Sequence, residues 1–406
     1  MENPIDNDDF RVAEIIVDGP RSTIRNIVRV GESSLEKKNL SISLSLKSAF
    51  LPVGYPASVR EGYLEYQIWD LIQGLTSYLR SNLAIKEILS GLGVGDVAAT
   101  ASAGALGWIM LSGASMIGGL LFAWLCAPAF CKNVRQWRLF ADVINDVGLT
   151  LNMLAPLAGK RYFLIVAGAG SVCTSMCGVA AGATKAAISQ FFAKGDNIAD
   201  LHAKESSQET AVNLIGLVGG YAFLSLLSSE SPVVIWTAFA FLTALHIVAN
   251  VRAVRTLRFD VVNESRFKIL HAAWRHQHDM SVASVGDAEQ LLPSAGFAQQ
   301  NVVLGASVSS ASAKDADGIR RALLEAQKLN RKFAIAPLGD DRVGVYLTLA
   351  ASSRDILRAR FCAEEVSSED DGEAFVAMLE KQGWDTSRHL FAVGATKIDW
   401  HVRKRD

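Results

Sequence analysis

Four runs of the chain contain no Asp, Glu, Lys or Arg: residues 97–131 (about 35 residues), 162–184 (about 23), 210–229 (about 20) and 231–251 (about 21). A bilayer core takes about 20 mostly apolar helical residues to cross. Helices that face water carry a polar side. Four such runs within one third of a chain therefore predict helices that dissolve in lipid, and they set the fold class: mainly α, a multi-span helical membrane domain followed by a small α+β C-terminal domain.

The runs are rich in small residues. Gly178 and Gly182, and likewise Gly216 and Gly220, have the GxxxG spacing that lets helix backbones meet closely. The first run is too long for one upright span, and Ser112-Gly113 near its middle predicts a helical hairpin. Pro232 suits the first turn of the last run. If residues 135–156 also cross, there are about six spans with both termini on one side. Lys185, Lys194, Lys204, Arg252, Arg255 and Arg258 then fall on the terminal side, as the positive-inside rule asks, while Lys160 and Arg161 do not. Residues 62–90 keep a helical apolar period through Leu64, Ile68, Leu71, Ile72, Leu75 and Leu79. That helix is expected on the membrane surface or on the soluble domain.

Four segments follow: 1–50, a β-containing N-terminal piece; 51–260, the helical membrane domain; 261–298, a linker; and 299–406, a soluble α+β domain. Within the last, 299–307, 332–337 and 343–350 read as strands, with "LGDD" turning a hairpin. Residues 316–329 and 374–382 read as helices, and "HLFAVGA" as a final strand. The order β-α-β-β-α-β predicts a ferredoxin-like layout, disturbed by an extra helix near 353–363. Residues 280–300 and the acidic "SSEDDGE" read as loops.

The ionisable groups among the apolar residues are the functional candidates. In "QWRLFADVINDVG", Arg138, Asp142 and Asp146 recur every four residues and share one helical face. Charge at bilayer depth costs at least a few kcal/mol and usually faces a bundle interior or a water-filled cavity. Three readings stand: a polar path or ligand site lined by Asp142, Asn145 and Asp146 with Lys185 as counter-charge, a structural Arg138–Asp142 pair at the interface, or a helix that never enters the membrane. In "AKESSQETAVNL", Ser206 and Glu209 have the spacing of a capping box that opens a helix. Lys204 and Ser207 could hold an anion at such a start.

Other chemistry is excluded by pattern. Net charge is −1 and pI about 6.7, so no basic field attracts nucleic acid. The five cysteines form no disulfide framework and read as small buried hydrophobes. His271, His276 and His278 lack a matching Cys cluster, so no metal site is expected. "GLGVGD" lacks the strand and Lys that a nucleotide loop needs. Nothing around Lys185 supplies a pyridoxal phosphate site, so no cofactor is assigned. With no catalytic constellation, the chain reads as a non-enzyme.

The segments "GYPASVREGYLEYQIWD", "GVGD", "QWRLFADVIND", "GATKAA", "NIADLHAKESSQETAVNLIG" and "NVRAVRTL" occur in an order that resembles the root UVB sensitive family over roughly residues 50–270. "GWDTSRHLF" resembles the family near the end. One departure is local: family members usually carry Lys-Asp and later Arg where this chain has Leu111, Ser112 and Gly119. The resemblance implies a eukaryotic, membrane-embedded protein. Plant members are associated with seedling responses to low UV-B, vitamin B6 homeostasis and auxin transport, and they associate with one another. The implied partners are lipid and sister family members in homo- or hetero-oligomers. It implies no catalytic residues, because the family's molecular activity is not established. Some plant relatives are plastid proteins, but "MENPIDNDDF" has no transit-peptide character, and the organelle stays open. Two classes fit: a carrier or ligand-binding protein for a small polar or anionic metabolite, and a membrane scaffold.

Overall fold

The computed structural model describes residues 11–18, 21–29, 48–95, 100–227, 230–292, 301–310, 314–339, 342–365 and 369–399. Strands β1 (Arg11–Asp18) and β2 (Arg21–Arg29) form an antiparallel hairpin with an irregularity between Glu14 and Ile15, matching the strands read in the N-terminal segment. Six long helices follow: α1 (Tyr63–Gly91), α2 (Ala101–Phe130), α3 (Val134–Leu154), α4 (Gly159–Phe192), α5 (Ile198–Leu227) and α6 (Pro232–Thr256). Among the described residues, four stretches are long and apolar enough to cross a membrane: Ser102–Phe130, Val134–Phe192, Ile198–Leu227 and Pro232–Thr256. The second is folded by the 3-10 turn Ala155–Ala158 into α3 and α4. Gly159 accepts the φ of 75° that this turn requires.

Two expectations are corrected. Ser112-Gly113 does not turn a hairpin, because α2 runs unbroken for 30 residues. In hydrocarbon, a backbone released from its helix finds no water to bond, so residues that end helices in water are carried through. Helix α1, expected on the membrane surface or on the soluble domain, packs along α5 and α6.

The chain forms two compact units, the first comprising Met1–Ala114, Asp146–Ser171 and Lys185–Thr256, the second the remainder. In the first, Leu83 and Ala84 of α1 bury against Leu149 and Met153 of α3, Leu227 of α5 and Phe239 of α6. Leu111, at the departure from the family pattern, packs with Ile88, Phe163 and Ala167, a setting that suits an apolar side chain. Gly216 and Gly220 face α1: a Cβ at Gly216 would stand 2.7 Å from the Tyr78 ring, and one at Gly220 would collide with the Asn82 amide. Gly178 and Gly182 instead face open space.

The second unit holds an aromatic cluster of Phe122, Phe130, Trp137 and Phe140. A Cβ at Gly119 would stand 2.3 Å from Ser175 Oγ, so the position has little room for a side chain. Beyond it lie α7 (Glu264–His276), α8 (Val282–Ala288), β3 (Val302–Leu304), α9 (Ala316–Lys328), β4 (Phe333–Pro337), β5 (Val343–Leu347), α10 (Ser353–Glu365) and α11 (Glu369–Lys381). The sheet order is β3-β5-β4, with β3 parallel and β4 antiparallel to β5. Side chains alternate across β5. Val345 and Leu347 bury with Phe267, Leu357, Phe361 and Phe375, while Tyr346 buries on the other face with Ile319 and Ala326 of α9.

The small mixed domain is as expected, with one strand fewer. The "HLFAVGA" segment makes only the single parallel bridges His389–Val262 and Val393–Leu304. Gly305 and Gly394 cross there so closely that a Cβ on either would meet the other's backbone at 2.5 Å. A ferredoxin-like fourth strand would run antiparallel to β3. Residues 280–300, read as loop, contain α8, capped by Ser281. Of the acidic "SSEDDGE", read as a loop, residues 369–373 open α11, where carboxylates complement the helix dipole.

Candidate functional site

The apolar period read along α1 is not its buried face. Leu64 and Ile68 are 44% and 47% exposed, whereas Tyr63, Gln67, Thr76 and Arg80 are buried. Only 11–22% of each apolar window of the long helices is buried. Both facts have one cause: where lipid is the solvent, apolar side chains face outward at no cost and polar ones collect inside.

Arg80 and His246 are fully buried, and Asp146 and Asn250 nearly so. Asp146 Oδ1 accepts from Arg80 Nη1 at 2.5 Å and lies 2.9 Å from His246 Nδ1. Arg80 Nη1 also reaches Thr243 Oγ1 at 3.3 Å. The far ring nitrogen, His246 Nε2, is 3.1 Å from Gln73 Nε2. With the Gln73 amide nitrogen donating, Nε2 is the accepting ring nitrogen, and Asn250 Nδ2 lies within 3.5 Å of both ring nitrogens. Asp146 Oδ2 has no hydrogen bond among the described residues. Three helices, α1, α3 and α6, thus bring a cation, an anion and a proton-exchanging ring together, with one carboxylate lone pair unused.

This centre lies within the apolar band. Arg80 sits between Tyr78 and Asn82, which meet Gly216 and Gly220 of α5. Those glycines are at least seven residues, about 10 Å, from the nearest charge on their own helix, Glu209. Gly148, two residues past Asp146, meets Gly170 of α4, which is nine residues, about 13 Å, from Arg161. His246 is six residues, about 9 Å, from Arg252.

Of the predicted residues, Asp146 belongs to this centre. Arg138 and Asp142 pair with each other, Nε to Oδ2 at 3.7 Å, in the second unit. Asn145, half-buried, also belongs to that unit. Lys185 is not the counter-charge of Asp146, because its Nζ pairs with Glu209 at 2.8 Å on an exposed surface. Ser206 and Glu209 do not cap a helix: α5 begins at Ile198, and Ser206 lies inside it with its carbonyl accepting from Thr210 Oγ1. Lys204 donates to Ser48 O and Ser207 to Ala203 O. Among the described residues, no three His, Cys, Asp or Glu side chains gather to hold a metal.

Arg80, His246, Gln73 and Asn250 were not read from sequence. One signal was present: His246 is the single imidazole in the charge-free run 231–251. A second polar cluster lies where α1 and α5 begin. Glu205, buried, accepts from Ser189 Oγ at 2.8 Å. Near it, the Tyr63 hydroxyl is buried without a hydrogen bond among the described residues, and burial, opposed by the nearby Gln208 and Gln67 side chains, pushes its phenol up to about 12.

Residues 36–278 match the family model described as the Vitamin B6 photo-protection and homoeostasis domain. The chain is 35% identical over 300 residues to RUS family member 1 of Dictyostelium discoideum, a match covering 73% of this chain and 55% of that protein, so it spans about half of that relative's length. It is 32% identical over 378 residues to Protein root UVB sensitive 3 of Arabidopsis thaliana, covering 87% of this chain and 85% of the relative. The chloroplastic Protein root UVB sensitive 2 of the same plant is 27% identical over 391 residues, covering 88% and 85%. No solved structure matches.

Proposed function

Because the chain belongs to the root UVB sensitive family, we propose that it is a non-catalytic membrane carrier or ligand-binding protein for a small polar or anionic metabolite. Its binding centre is Asp146 with Arg80 and His246. The observation that carries this reading is the placement of these three buried groups within the apolar band, where ionisable side chains persist for substrate or ion paths. The vitamin B6 wording of the family model makes the B6 vitamers the first candidates for cargo. The test is uptake of labelled pyridoxine, pyridoxal and pyridoxal 5′-phosphate into liposomes carrying the full chain. Wild type accumulates at least one of them, and Asp146→Asn, which removes the charge and keeps the shape, does not. Equal uptake by both proteins rejects this centre.

A scaffold role draws support from one observation, the bare GxxxG face of Gly178 and Gly182. Such a face lets a second helix approach closely, from another copy or a sister family member. Cross-linking in native membranes, wild type against Gly178→Leu/Gly182→Leu, tests it.

A further inference from the structure

We propose that Glu205 is a proton-binding site, a carboxylic acid that keeps its proton at neutral pH and exchanges it with water through His202. The site stands apart from the Asp146 centre and from the carrier reading. Glu205 is eleven residues, about 17 Å along α5, before Gly216, where that helix meets Tyr78 of α1.

Ser189 Oγ carries one hydrogen and has two oxygens within reach, Glu205 Oε2 at 2.8 Å and the Lys185 carbonyl at 2.9 Å. With Glu205 ionised, Ser189 is the donor to both, and one hydrogen is divided between two acceptors. With Glu205 protonated, the direction of the first contact reverses. The acid then donates to Ser189 Oγ, Ser189 donates to Lys185 O, and each contact has its own hydrogen. Ser189 is fully buried and Glu205 is 6% exposed. A carboxylate buried without a paired cation is costly, and such a group usually neutralises instead.

The nearby cations are engaged elsewhere. Lys185 of α4 holds Glu209 at 2.8 Å on an exposed surface, and Lys204 of α5 lies 3.9 Å from Asp200. Arg60 lies over the Phe191 ring, and Arg252 of α6 over Trp69 of α1. Two further groups of α1 face the acid: Asp70, a like charge, and Tyr63, whose phenol burial pushes up to about 12 and which therefore keeps its own proton.

His202 connects the acid to solvent. Its side chain is 43% exposed, and its Nδ1 stands 3.7 Å from Oε2, so a small swing of the ring closes a hydrogen bond. Nδ1 takes the proton from Oε2 while Nε2 gives one to water. A carboxylate, a neutral ring of the other tautomer and a hydrated proton result, and the reverse sequence restores the acid.

Infrared spectroscopy of the full-length chain in phospholipid nanodiscs at neutral pH tests this, because a protonated carboxyl has a C=O band that carboxylates lack. Wild type should show one such band that Glu205→Gln loses. Gln keeps the shape of the acid and a donor for Ser189, so that variant should fold. Ser189→Ala removes the acceptor of the proton and should shift the band. On transfer to heavy water the wild-type band should move as the acid exchanges, and His202→Phe should slow that exchange at least about tenfold. An acid band that is absent from wild type, or unchanged in both Glu205→Gln and Ser189→Ala, overturns the proposal. Equal exchange rates in wild type and His202→Phe overturn the route through His202.

Discussion

Glu289 holds two arginines at once, and its removal tests how the second unit is secured. Its Oε2 accepts from Arg135 Nη1 and from Arg266 Nε, each at 3.0 Å, and all three side chains are 2% exposed. Arg135 opens α3, Arg266 lies in α7, and Glu289 follows α8, so one carboxylate ties three elements. Arg135 Nη1 also donates to Gly286 O and Arg266 Nη1 to Val261 O. Burial pulls the Arg266 guanidinium below its usual range, and Glu289 opposes that pull. Glu289→Ala leaves two buried cations without a counter-charge. Breaking a buried pair from one side costs about 3–5 kcal/mol, which corresponds to a fall of roughly 6–20 °C in Tm. The assay is thermal unfolding of detergent-purified protein followed by tryptophan fluorescence. The triple replacement Arg135→Met/Arg266→Met/Glu289→Leu removes every charge and should melt well above the single variant. A Glu289→Ala protein that melts within about 2 °C of wild type refutes the reasoning.

Three further predictions follow from single contacts. Gly216→Leu drives a side chain into the Tyr78 ring and should abolish a monodisperse detergent-solubilised species, whereas Gly178→Leu, facing open space, should preserve it; size-exclusion chromatography reads both. Tyr63→Phe removes a buried hydroxyl that has no hydrogen bond among the described residues, so stability should hold or rise by up to about 1 kcal/mol, and ultraviolet titration should lose one tyrosine that ionises near pH 12. Burial, with Lys397 adding, lowers the His389 pKa below 6.5. The unfolded chain therefore binds this proton first, and stability, full above pH 6.5, is lost as pH falls below it. His389→Gln should flatten that part of a melting curve measured from pH 7.5 to 5.

The long charge-free runs were legible because they need no partner to be read: length and composition bound them. The site was half legible. Asp146 stood out as a carboxylate among apolar residues, but Arg80 lies 66 positions away and pairs with it only because α1 packs into the bundle. Lys185, near the end of an apolar run, was read as a possible counter-charge. It is instead held by Glu209, one helix further on. The GxxxG spacings were equally visible in both helices, yet only Gly216 and Gly220 meet a neighbour within the chain. Spacing describes a face and does not say what covers it. The apolar period of α1 was real, but it includes the exposed Leu64 and Ile68, while Tyr63, Gln67, Thr76 and Arg80 are buried instead.

That reversal has a consequence for variation among relatives. At Leu120, Trp124, Leu217 or Phe241, all at least 59% exposed, one greasy residue is as good as another, so these positions should drift freely among Leu, Ile, Val and Phe across orthologues. Substitution should slow at a handful of hydrophilic sites, so the chain's quietest positions would be those that a soluble protein leaves most restless.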